Sequence, residues 1–420
     1  MDRLSVTSLG PEVIGAHMEW HHLPIRDVSV PCGRFEQQWS RVSPGLRARL
    51  RDGFPVVVHC RGGLGRAGMV AARLLTELGA DPHEAIRLVR KVRPGAIETD
   101  GQARHVVQQK SVAEPEPAPA ATKDRALGAL VGLAIGDAVG TTLEFSARDS
   151  YPRHVDMVGG GPFRLRAGQW TDDTAMALAL ADSLLANNGI DEADLMARFV
   201  RWREQGDYSC TGTCFDIGMT VSQALRRWKA TGDPVAGSTD PQSAGNGALM
   251  RLAPVALRFW NHRSMLADAA ARQTATTHGA AEAISASIAY ADILADAISG
   301  KPRSHVLAPR RGDYAGKISS ILSGSWRGKP RHQVPSTGYV AHSLEAALWS
   351  VGRTADFRSA VLTAANLGGD ADTTAAITGQ LAGALYGVAG IPQEWVERLA
   401  WRERIVDLSE NLFSASLGNG

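Results

Sequence analysis

The stretch KSVAEPEPAPAATK, residues 110–123, divides this chain of 420 residues. Proline and alanine alternate there with glutamate, a composition that favours a semi-rigid extended linker over a packed helix or strand. A chain of this length also exceeds the usual size of a single hydrophobic core. The sequence therefore predicts an N-terminal domain at 1–109, a linker at 110–123 and a C-terminal domain at 124–420.

The composition excludes several classes of protein. Apolar residues make up 44% of the chain and charged residues 21%, as in an ordinary globular protein. A formal net charge of +2 provides no electrostatic basis for binding nucleic acid or an anionic membrane. We expect no signal peptide and no apolar run of membrane-spanning length. Four cysteines are too few for a disulfide scaffold, and we expect a soluble protein of the reducing cytoplasm.

The N-terminal domain has an α/β pattern. FPVVVHC at 54–60 reads as a short buried strand, and RAGMVAARLLTELGA at 66–80 as an amphipathic helix closed by Gly79. DPHEAIRLVRKVRPG at 81–95 predicts a second helix, with Asp81 as its N-cap.

The C-terminal domain is rich in alanine and leucine at helical spacing, and strand patterns are scarce. We find no fixed-period repeat, so a solenoid is not predicted. An all-α domain is expected, with helices at 125–139, 174–187, 192–204, 216–230, 264–273, 279–299, 340–351, 356–365 and 373–388.

The segment HCRGGLGRAG at 59–68 carries the chemistry of the first domain. Cys60 and Arg66 have the spacing C-x5-R between the predicted strand and helix. The glycines let the backbone curl so that several N–H groups point inward, which makes an anion site at a helix N-terminus. That environment lowers the pKa of a cysteine thiol, and an arginine there can hold two phosphate oxygens. A structural cysteine in a glycine-rich turn is the alternative.

This segment resembles the phosphate-binding loop of the dual-specificity and tyrosine phosphatase superfamily. RPGAIETDGQ at 93–102 resembles a downstream segment of the cell-cycle phosphatases in that group. The resemblance covers most of residues 15–109 and implies a nucleophilic Cys60 and a phosphate-binding Arg66. It also implies that Asp27, in HLPIRDVSVP, protonates the leaving group, although a loop aspartate is the alternative.

Two departures from the superfamily bear on activity. Ala67 replaces the usual serine or threonine, whose hydroxyl helps the thiolate leave the phosphoenzyme. The domain also begins late, so we expect its first strands to be missing. Both features predict slow turnover, or phosphate binding without turnover.

Paired acids mark three helix ends of the second domain. GQWTDDTAMALAL at 168–180 contains Asp172 and Asp173, NLGGDADTTAAITGQLAGAL at 366–385 contains Asp370 and Asp372, and ALVGLAIGDAVGTTLEF at 129–145 contains Asp137 and Glu144. Capping a helix needs one oxygen, so capping alone does not explain five or six carboxylates. Carboxylates with threonine hydroxyls are hard ligands that suit Mg²⁺ or Mn²⁺ better than zinc. Two cations would offset the repulsion between neighbouring acids.

The motifs GDxxGxxxE, TDDT, GNGALMR and GGDADT follow one another in this order. They resemble the ADP-ribosylglycohydrolase family, which includes the bacterial dinitrogen reductase-activating glycohydrolase, over residues 124–390. The resemblance implies an all-α fold and two Mg²⁺ or Mn²⁺ ions. The ligands that it implies are Thr171, Asp172, Asp173, Asp370, Asp372 and Thr373. Glu144 matches a glutamate near the metals that gates or assists catalysis, and Asp137 a residue of local structure.

The same resemblance implies a binding surface for ADP-ribose. Asn246 and the backbone of its loop would contact the ribose and phosphates, Tyr208 is a candidate for stacking on adenine, and GDYSCTGTCFDIG at 206–218 matches another ligand-side segment. His278 aligns with a family Thr-His pair, and a structural role is favoured for it. The residues assigned to the ligand are Gly245, Asn246, Gly247, Tyr208, Gly212 and Phe215.

The implied chemistry is metal-assisted hydrolysis. The metals would hold the hydroxyls of the distal ribose and position a water near C1″, which becomes oxocarbenium-like as the glycosidic bond breaks. Asp172, Asp173 or Glu144 would orient or deprotonate that water, and the choice among them stays open.

The leading hypothesis is a bifunctional enzyme. Its C-terminal domain would remove ADP-ribose from a protein or small molecule, and its phosphatase-like domain would act on a phosphorylated substrate, such as a phosphorylated ADP-ribose derivative. One alternative is a module that binds ADP-ribosyl and phosphoryl groups, with an inactive phosphatase domain. Another is hydrolysis of a different glycosidic bond on the same scaffold. The acceptor, whether arginine, serine, nucleic acid or a metabolite, is left open.

Overall fold

The computed structural model of the protein describes residues 8–15, 18–51, 55–113 and 122–418. The chain separates into two compact units, Met1–Pro115 and Glu116–Gly420. Most of the predicted linker, residues 114–121, lies outside the described residues.

The described part of the first unit is helical. Its helices are α1 Leu9–Gly15, α2 Gly33–Arg51, α3 Gly65–Glu77, α4 Pro82–Val92 and α5 Asp100–Val107. Asp81 caps α4 as predicted, because its carboxylate accepts hydrogen bonds from the backbone N–H groups of His83 and Glu84 at 2.9 and 3.0 Å. Met69 and Ala72 of α3 pack with Ala85 and Ile86 of α4 in the core.

The α/β class predicted for this unit is not confirmed. Residues 55–60, where we expected a strand, form neither helix nor strand, and no strand occurs elsewhere in the described residues of the unit. The alternation of a strand is nevertheless present, since Val56 and Val58 pack on the core while Val57 is 85% exposed. A strand is defined by its pairing with a neighbour, and no described segment pairs with this one.

The second unit is nearly all helix, as its sequence predicts. Extended pairing among its described residues is confined to three isolated bridges. The helices are α6 Thr122–Gly140, α7 Asp172–Ala186, α8 Glu192–Gln205, α9 Met219–Thr231, α10 Ala253–Phe259, α11 Arg263–Ala275, α12 Ala281–Ile298, α13 Arg303–Val306, α14 Lys317–Leu322, α15 Val340–Gly352, α16 Phe357–Ala365, α17 Ala371–Tyr386, α18 Gln393–Arg398 and α19 Arg402–Leu417.

A ladder of glycines packs α6 against α17. At each α6 glycine of this ladder a Cβ atom would lie 2.2 to 2.4 Å from a carbonyl oxygen of α17, so the two backbones approach as only glycine permits. The pairing is antiparallel. The facing pairs are Gly128 with Gly383, Gly132 with Gly379, Gly136 with Ala375 and Gly140 with Ala371. The C-terminal end of α6 therefore lies beside the N-terminal end of α17.

The buried position of α6 corrects one expectation. We expected no apolar run of membrane-spanning length, but Thr122–Leu143 is long and apolar enough to qualify by composition. Its apolar window is 94% buried inside the unit. The small residues that make this helix apolar serve the close packing on α17.

Candidate functional site

The loop before α3 surrounds the Cys60 thiol with backbone donors. The N–H of Gly63 donates a hydrogen bond to Cys60 Sγ at 3.2 Å. Burial acts to raise the pKa of this half-buried thiol, but hydrogen bonds from the backbone N–H groups of Ala67, Gly63, Leu64 and Gly62 outweigh it, and the pKa is lowered. Such a ring of donors stabilises a thiolate or a bound phosphoryl group equally well.

Arg66 and Asp27 meet beside this loop. Arg66 Nη2 lies 2.8 Å from Asp27 Oδ1, and Nη1 donates to the carbonyl oxygen of Ile25 at 3.0 Å. The side chain of Asp27 is 70% exposed, so a substrate can reach it. The structure thus brings together two of the three residues assigned to the phosphatase chemistry, and their roles stay predictions.

Ala67 provides a backbone donor to the loop but no side-chain hydroxyl. Its backbone N–H contributes to the lowered pKa of Cys60, while its buried methyl side chain has no hydroxyl to offer the thiolate. The loop therefore retains its backbone donors without the side-chain hydroxyl that is usual in the superfamily.

In the second unit, Asp137 of α6 caps the N-terminus of α7. Its carboxylate accepts hydrogen bonds from the backbone N–H groups of Thr171 and Thr174, with shortest distances of 2.9 and 3.0 Å. It also accepts from both threonine hydroxyls, at 2.9 and 2.6 Å. The acids of α7 are consequently not needed as caps, and Asp137 has the structural part that the resemblance implied.

Glu144 does the same for α17. Because the glycine ladder places the end of α6 beside the start of α17, the Glu144 side chain reaches the backbone of that helix. Its Oε2 accepts from the N–H groups of Ala371 and Asp372 at 2.7 and 3.3 Å. Each of the two acidic helix ends is thus capped by a carboxylate from the region of α6.

The acids at these helix ends converge. Single oxygens of Glu144, Asp370 and Asp372 all lie within 4.8 Å of one another. Thr171 Oγ1 lies 3.4 Å from Asp173 Oδ2 and 3.3 Å from Asp372 Oδ2. A further threonine contact comes from the other helix end, where Thr373 Oγ1 lies 3.4 Å from Asp173 Oδ2.

Burial and mutual repulsion shift the acids strongly. Desolvation, followed by the charge of Asp372, raises the pKa of Glu144 to about 12. The same two causes raise the pKa of Asp370 to about 7. Desolvation, followed by the charges of neighbouring aspartates, raises the pKa values of Asp172 and Asp173 well above their usual range. Such a cluster is unfavourable without positive charge among its members.

The donor set fits divalent cations. All of its side chains offer carboxylate or hydroxyl oxygen, the chemistry that Mg²⁺ and Mn²⁺ prefer. Asp173 Oδ1 is buried and has no hydrogen-bond partner, as expected of an oxygen reserved for an ion. A possible metal site is therefore present at the place that the sequence indicated, and Glu144 belongs to its closest group of acids.

The Gly-Asn-Gly loop lies against this cluster. Asn246 Nδ2 donates to Asp370 Oδ2 at 2.7 Å and to Ser343 Oγ at 2.8 Å. A Cβ atom on Gly245 or Gly247 would lie 3.1 or 2.8 Å from the ring of His278, so both glycines leave room for that imidazole. Asn246 thus ties the loop to the acids.

Two assigned aromatic residues have different surroundings. The Tyr208 side chain is buried, its hydroxyl accepts from Arg198 at 2.8 Å, and the Arg404 guanidinium lies 5.2 Å from its ring centroid. Phe215 contacts Phe163 at a centroid distance of 5.2 Å. Phe215 therefore packs against another aromatic ring, whereas Tyr208 is packed among arginines; adenine stacking by Tyr208 stays a prediction.

Gly212 occupies a turn of the ligand-side segment. Its φ of +78° lies in the left-handed region, and its carbonyl oxygen faces Gly206 closely enough to exclude a side chain there. The structure thus gives Gly212 a clear conformational part, while its assigned contact with the ligand stays a prediction.

Comparison with known proteins identifies the families of both domains. A family model described as ADP-ribosylglycohydrolase matches residues 118–420. This chain belongs to the ADP-ribosylglycohydrolase family. A second model, described as "Swiss Army Knife protein, DSP-PTPase phosphatase domain", matches residues 11–106. Both resemblances seen in the sequence are confirmed, and the chain combines a phosphatase domain with an ADP-ribosylglycohydrolase domain.

Similar proteins support the assignment as a hydrolase. The chain is 48% identical over 291 residues to the ADP-ribosylarginine hydrolase Tri1 of Pseudomonas putida (strain GB-1), covering 69% of this chain and 78% of that protein. It is 35% identical over 283 residues to the ADP-ribosyl-[dinitrogen reductase] glycohydrolase of Rhodospirillum rubrum, covering 66% and 90%. A solved chain described as "ADP-ribosylglycohydrolase-related protein complex" is 43% identical, with a TM-score of 0.63, covering 70% of this chain and 99% of its own. The protein is an enzyme of the hydrolase class.

One acid of the ADP-ribosylglycohydrolase domain was undervalued in the sequence. We placed Asp216 in a ligand-side segment and not among the acids. Desolvation raises the pKa of Asp216 to about 6, with a hydrogen bond to Asp372 opposing the shift. Its contact with Asp372 makes it a member of the cluster. No local signal in the sequence indicated this membership, because the φ of +60° that Asp216 adopts beside the glycine-rich turn is visible only in the structure.

Proposed function

We propose that the C-terminal domain releases ADP-ribose from modified arginine side chains by hydrolysing the glycosidic bond at C1″. The observation that carries this proposal is the convergence of carboxylates from three helix ends in one cluster beside the Gly-Asn-Gly loop. The arginine acceptor is supported by the 48% identity to an ADP-ribosylarginine hydrolase.

We propose that this cluster holds two divalent cations, Mg²⁺ or Mn²⁺. The unpartnered Asp173 Oδ1 and the all-oxygen donor set support this. When bound, such cations would supply Lewis-acid chemistry for the ribose hydroxyls and the attacking water. The residues that would hold them are Thr171, Asp172, Asp173, Asp370, Asp372 and Thr373.

The protein's own residues would perform three tasks. The Gly-Asn-Gly loop, tied to Asp370 by Asn246, would orient the ribose and phosphates of ADP-ribose. The carboxylates would stabilise positive charge at C1″ as the bond to the guanidine nitrogen breaks. Asp172, Asp173 or Glu144 would accept the proton of the water that attacks C1″, and the leaving guanidine would take up a proton.

Release of ADP-ribose from an ADP-ribosylated arginine peptide in the presence of Mg²⁺ or Mn²⁺ tests the proposal. We expect steady turnover by the full chain and none by Asp172→Ala. A matched control is Asp182→Ala. Asp182 lies in the same helix but pairs with Arg404 at 3.1 Å, so this variant should behave as the parent protein.

The alternatives predict different results. A pure binding module would retain the modified peptide and release nothing. A hydrolase for another glycosidic bond would leave the arginine peptide intact while cleaving a different linkage, for example one to serine. Full activity of Asp172→Ala would contradict the assignment of the site.

For the N-terminal domain we propose a slow cysteine-dependent phosphatase. The Cys60 thiolate would attack phosphorus, the leaving oxygen would take a proton from Asp27, and water would then hydrolyse the thiophosphate. The lowered pKa of Cys60 and the Arg66–Asp27 pair support this. Phosphate binding without turnover is the second candidate, favoured by the methyl side chain of Ala67.

The fusion of the two domains supports sequential use on a phosphorylated ADP-ribose derivative. We expect the full chain to release inorganic phosphate from such a compound and Cys60→Ser to release none. Equal release by both proteins would contradict a cysteine-dependent reaction. Phosphate binding by the parent protein without any release would favour the second candidate.

A further inference from the structure

Arg251 is a fully buried guanidinium whose hydrogen bonds, among the described residues, include no carboxylate. It has 0% exposure. Nε donates to Gln273 Oε1 and Nη2 to the Gln273 carbonyl oxygen, both at 2.9 Å, and the Phe199 ring centroid lies 4.7 Å away. Burial lowers the pKa of Arg251 to about 9, against the attraction of Asp172. Burying a charge without an ion pair destabilises the folded protein. The remaining hydrogen bonds of Arg251 therefore indicate what this residue does in the structure.

The informative contact begins a chain of hydrogen bonds. Arg251 Nη2 donates to Thr277 Oγ1 at 2.8 Å, and the same Oγ1 lies 2.8 Å from His278 Nδ1. A guanidinium only donates, so the threonine oxygen accepts from it and its own proton is available for the imidazole. If Nδ1 carried a proton, two donors would point at one oxygen and the hydroxyl proton would lose this acceptor. The favoured arrangement therefore makes Nδ1 an acceptor.

The opposite ring nitrogen then carries the proton and faces the ligand loop. Positions for a Cβ atom on Gly245 and Gly247 lie 3.1 and 3.2 Å from His278 Nε2. Within the described part of the chain, the hydrogen bond recorded for this imidazole is the one at Nδ1. Nε2–H is thus an unused donor beside the loop that Asn246 ties to the acid cluster.

We infer that Arg251, acting through Thr277, is a positioning residue that fixes His278 as the neutral Nε2–H tautomer, so that Nε2–H donates to a phosphoryl or ribose oxygen of the ligand. The identity of that ligand rests on the function proposed above. Burial and the charge of Arg251 lower the pKa of His278 to about 3, which agrees with a neutral ring at every pH of interest. His278 Nε2–H then donates to the ligand, while Nδ1 accepts the hydrogen bond from Thr277.

The tautomer is directly measurable in the full chain. We would label its 12 histidines with ¹⁵N and record long-range proton–nitrogen correlations, assigning His278 by the signals that disappear in His278→Gln. The expected pattern is that of a neutral ring protonated at Nε2. A ring protonated at Nδ1, or at both nitrogens, overturns the inference with no variant required, and this reading is independent of any hydrolase activity.

Neighbouring threonines provide a matched pair of variants. Thr277→Val removes the relaying hydroxyl and should change the tautomer pattern of His278, whereas Thr277→Ser should restore it. Thr276→Val is the control, because Thr276 Oγ1 donates to the Gln273 carbonyl oxygen at 2.7 Å and accepts from Arg251 Nη2 at 3.4 Å, but has no recorded contact with His278. An unchanged tautomer in Thr277→Val, or the same change in Thr276→Val, would contradict the relay.

Affinity for ADP-ribose with Mg²⁺ measures what the donor contributes. We expect Thr277→Val and His278→Asn to bind about tenfold more weakly, the value of one hydrogen bond to a charged acceptor. His278→Gln, whose amide can occupy the place of Nε2–H, should stay within a few-fold of the parent protein. Equal loss in the Gln and Asn variants would argue against donation from Nε2. If the parent protein fails to bind ADP-ribose, the proposed function fails while the tautomer measurement still decides on the relay.

Discussion

The phosphate loop around Cys60 and the acid cluster of the second unit are built in opposite ways. The donors around Cys60 come from the backbone of the seven positions that follow it. The contact between Thr171 Oγ1 and Asp372 Oδ2 joins residues 201 positions apart, and Glu144 reaches α17 across 227 positions. One site depends on a local turn, and the other on how helices pack.

The two sites also use helix N-termini in different ways. At α3 the free N–H groups face Cys60 and lower its pKa. At α7 and α17 the corresponding groups are occupied by Asp137 and Glu144, and the acids behind them remain buried with raised pKa values. An open helix end therefore attracts an anion, whereas a capped end can present carboxylates to a cation.

The largest effect is expected from a substitution in the glycine ladder. The ladder holds α6 against α17, so breaking it should disrupt the acid cluster and leave the Cys60 loop unchanged. In Gly136→Val the new Cβ would lie 2.2 Å from the Ala375 carbonyl oxygen, so α6 and α17 must separate. We expect the C-terminal domain to lose about 3 kcal/mol or more of stability and ADP-ribose release to disappear. Chemical denaturation and the arginine-peptide assay measure both effects.

The control for this substitution is Gly189→Ala, at a glycine with open space around its Cβ position. It should leave stability and activity near those of the parent protein. The N-terminal domain should keep its reactive Cys60 in both variants. Full ADP-ribose release by Gly136→Val would show that the acids do not depend on this packing.

Those parts of the Cys60 site that come from one continuous segment were predictable from the sequence. The spacing of Cys60 and Arg66 with the intervening glycines indicated an anion site before α3, and the loop has backbone donors as expected. The pairing of the preceding segment was not predictable, since a strand needs partners that 55–60 does not find among the described residues. Asp27 came only through resemblance, and the structure places it on Arg66.

For the nonlocal site, sequence indicated the residues but not their connections. Acids at helix starts pointed to Asp172, Asp173, Asp370 and Asp372, yet nothing local says that Glu144 caps α17. That pairing follows from tertiary packing, although glycines four apart in α6 were a readable sign of close approach. Helix α19 was also missed, because its polar start obscures the helical spacing of four buried apolar residues, which are Ile405, Leu408, Leu412 and Phe413.

A smaller effect is expected from uncapping α7 alone. In Asp137→Asn one of the two acceptor oxygens becomes an NH₂ group that faces the donors of Thr171 and Thr174. Relief of repulsion with Asp372 opposes this loss. We expect a net destabilisation of about 1–3 kcal/mol, measured by urea unfolding.

The matched control is Asp191→Asn at the start of α8. Asp191 is exposed and caps its own helix through one bond to the Asp194 N–H at 2.9 Å. We expect a cost below about 1 kcal/mol there. Equal losses of unfolding free energy in the two variants would mean that a cap from another helix stabilises no more than a local cap. The contrast between the local and nonlocal sites would then be weakened.

The smallest effect concerns the thiols. Hydrogen bonds from the loop lower the pKa of Cys60, whereas desolvation raises the pKa values of Cys210 and Cys214 to about 11. Because thiolate is the reactive form, a lowered pKa keeps Cys60 reactive as the pH falls, and the raised values suppress the other two thiols until the pH is high. At pH 7 we expect iodoacetamide to modify Cys60 more than about tenfold faster than Cys214, measured by peptide mass spectrometry.

Cys32 is a second thiol with a lowered pKa, through the backbone at the start of α2, so the experiment is best done in Cys32→Ser. The pH–rate midpoint of Cys60 should then lie below about 8.5, the usual value for a cysteine, and inorganic phosphate should slow the reaction by occupying the same donors. A midpoint at or above that value, with no protection by phosphate, would mean that the loop does not act as an anion site. The local site would then need the rest of its fold as much as the acid cluster does, and the difference between the two regions would disappear.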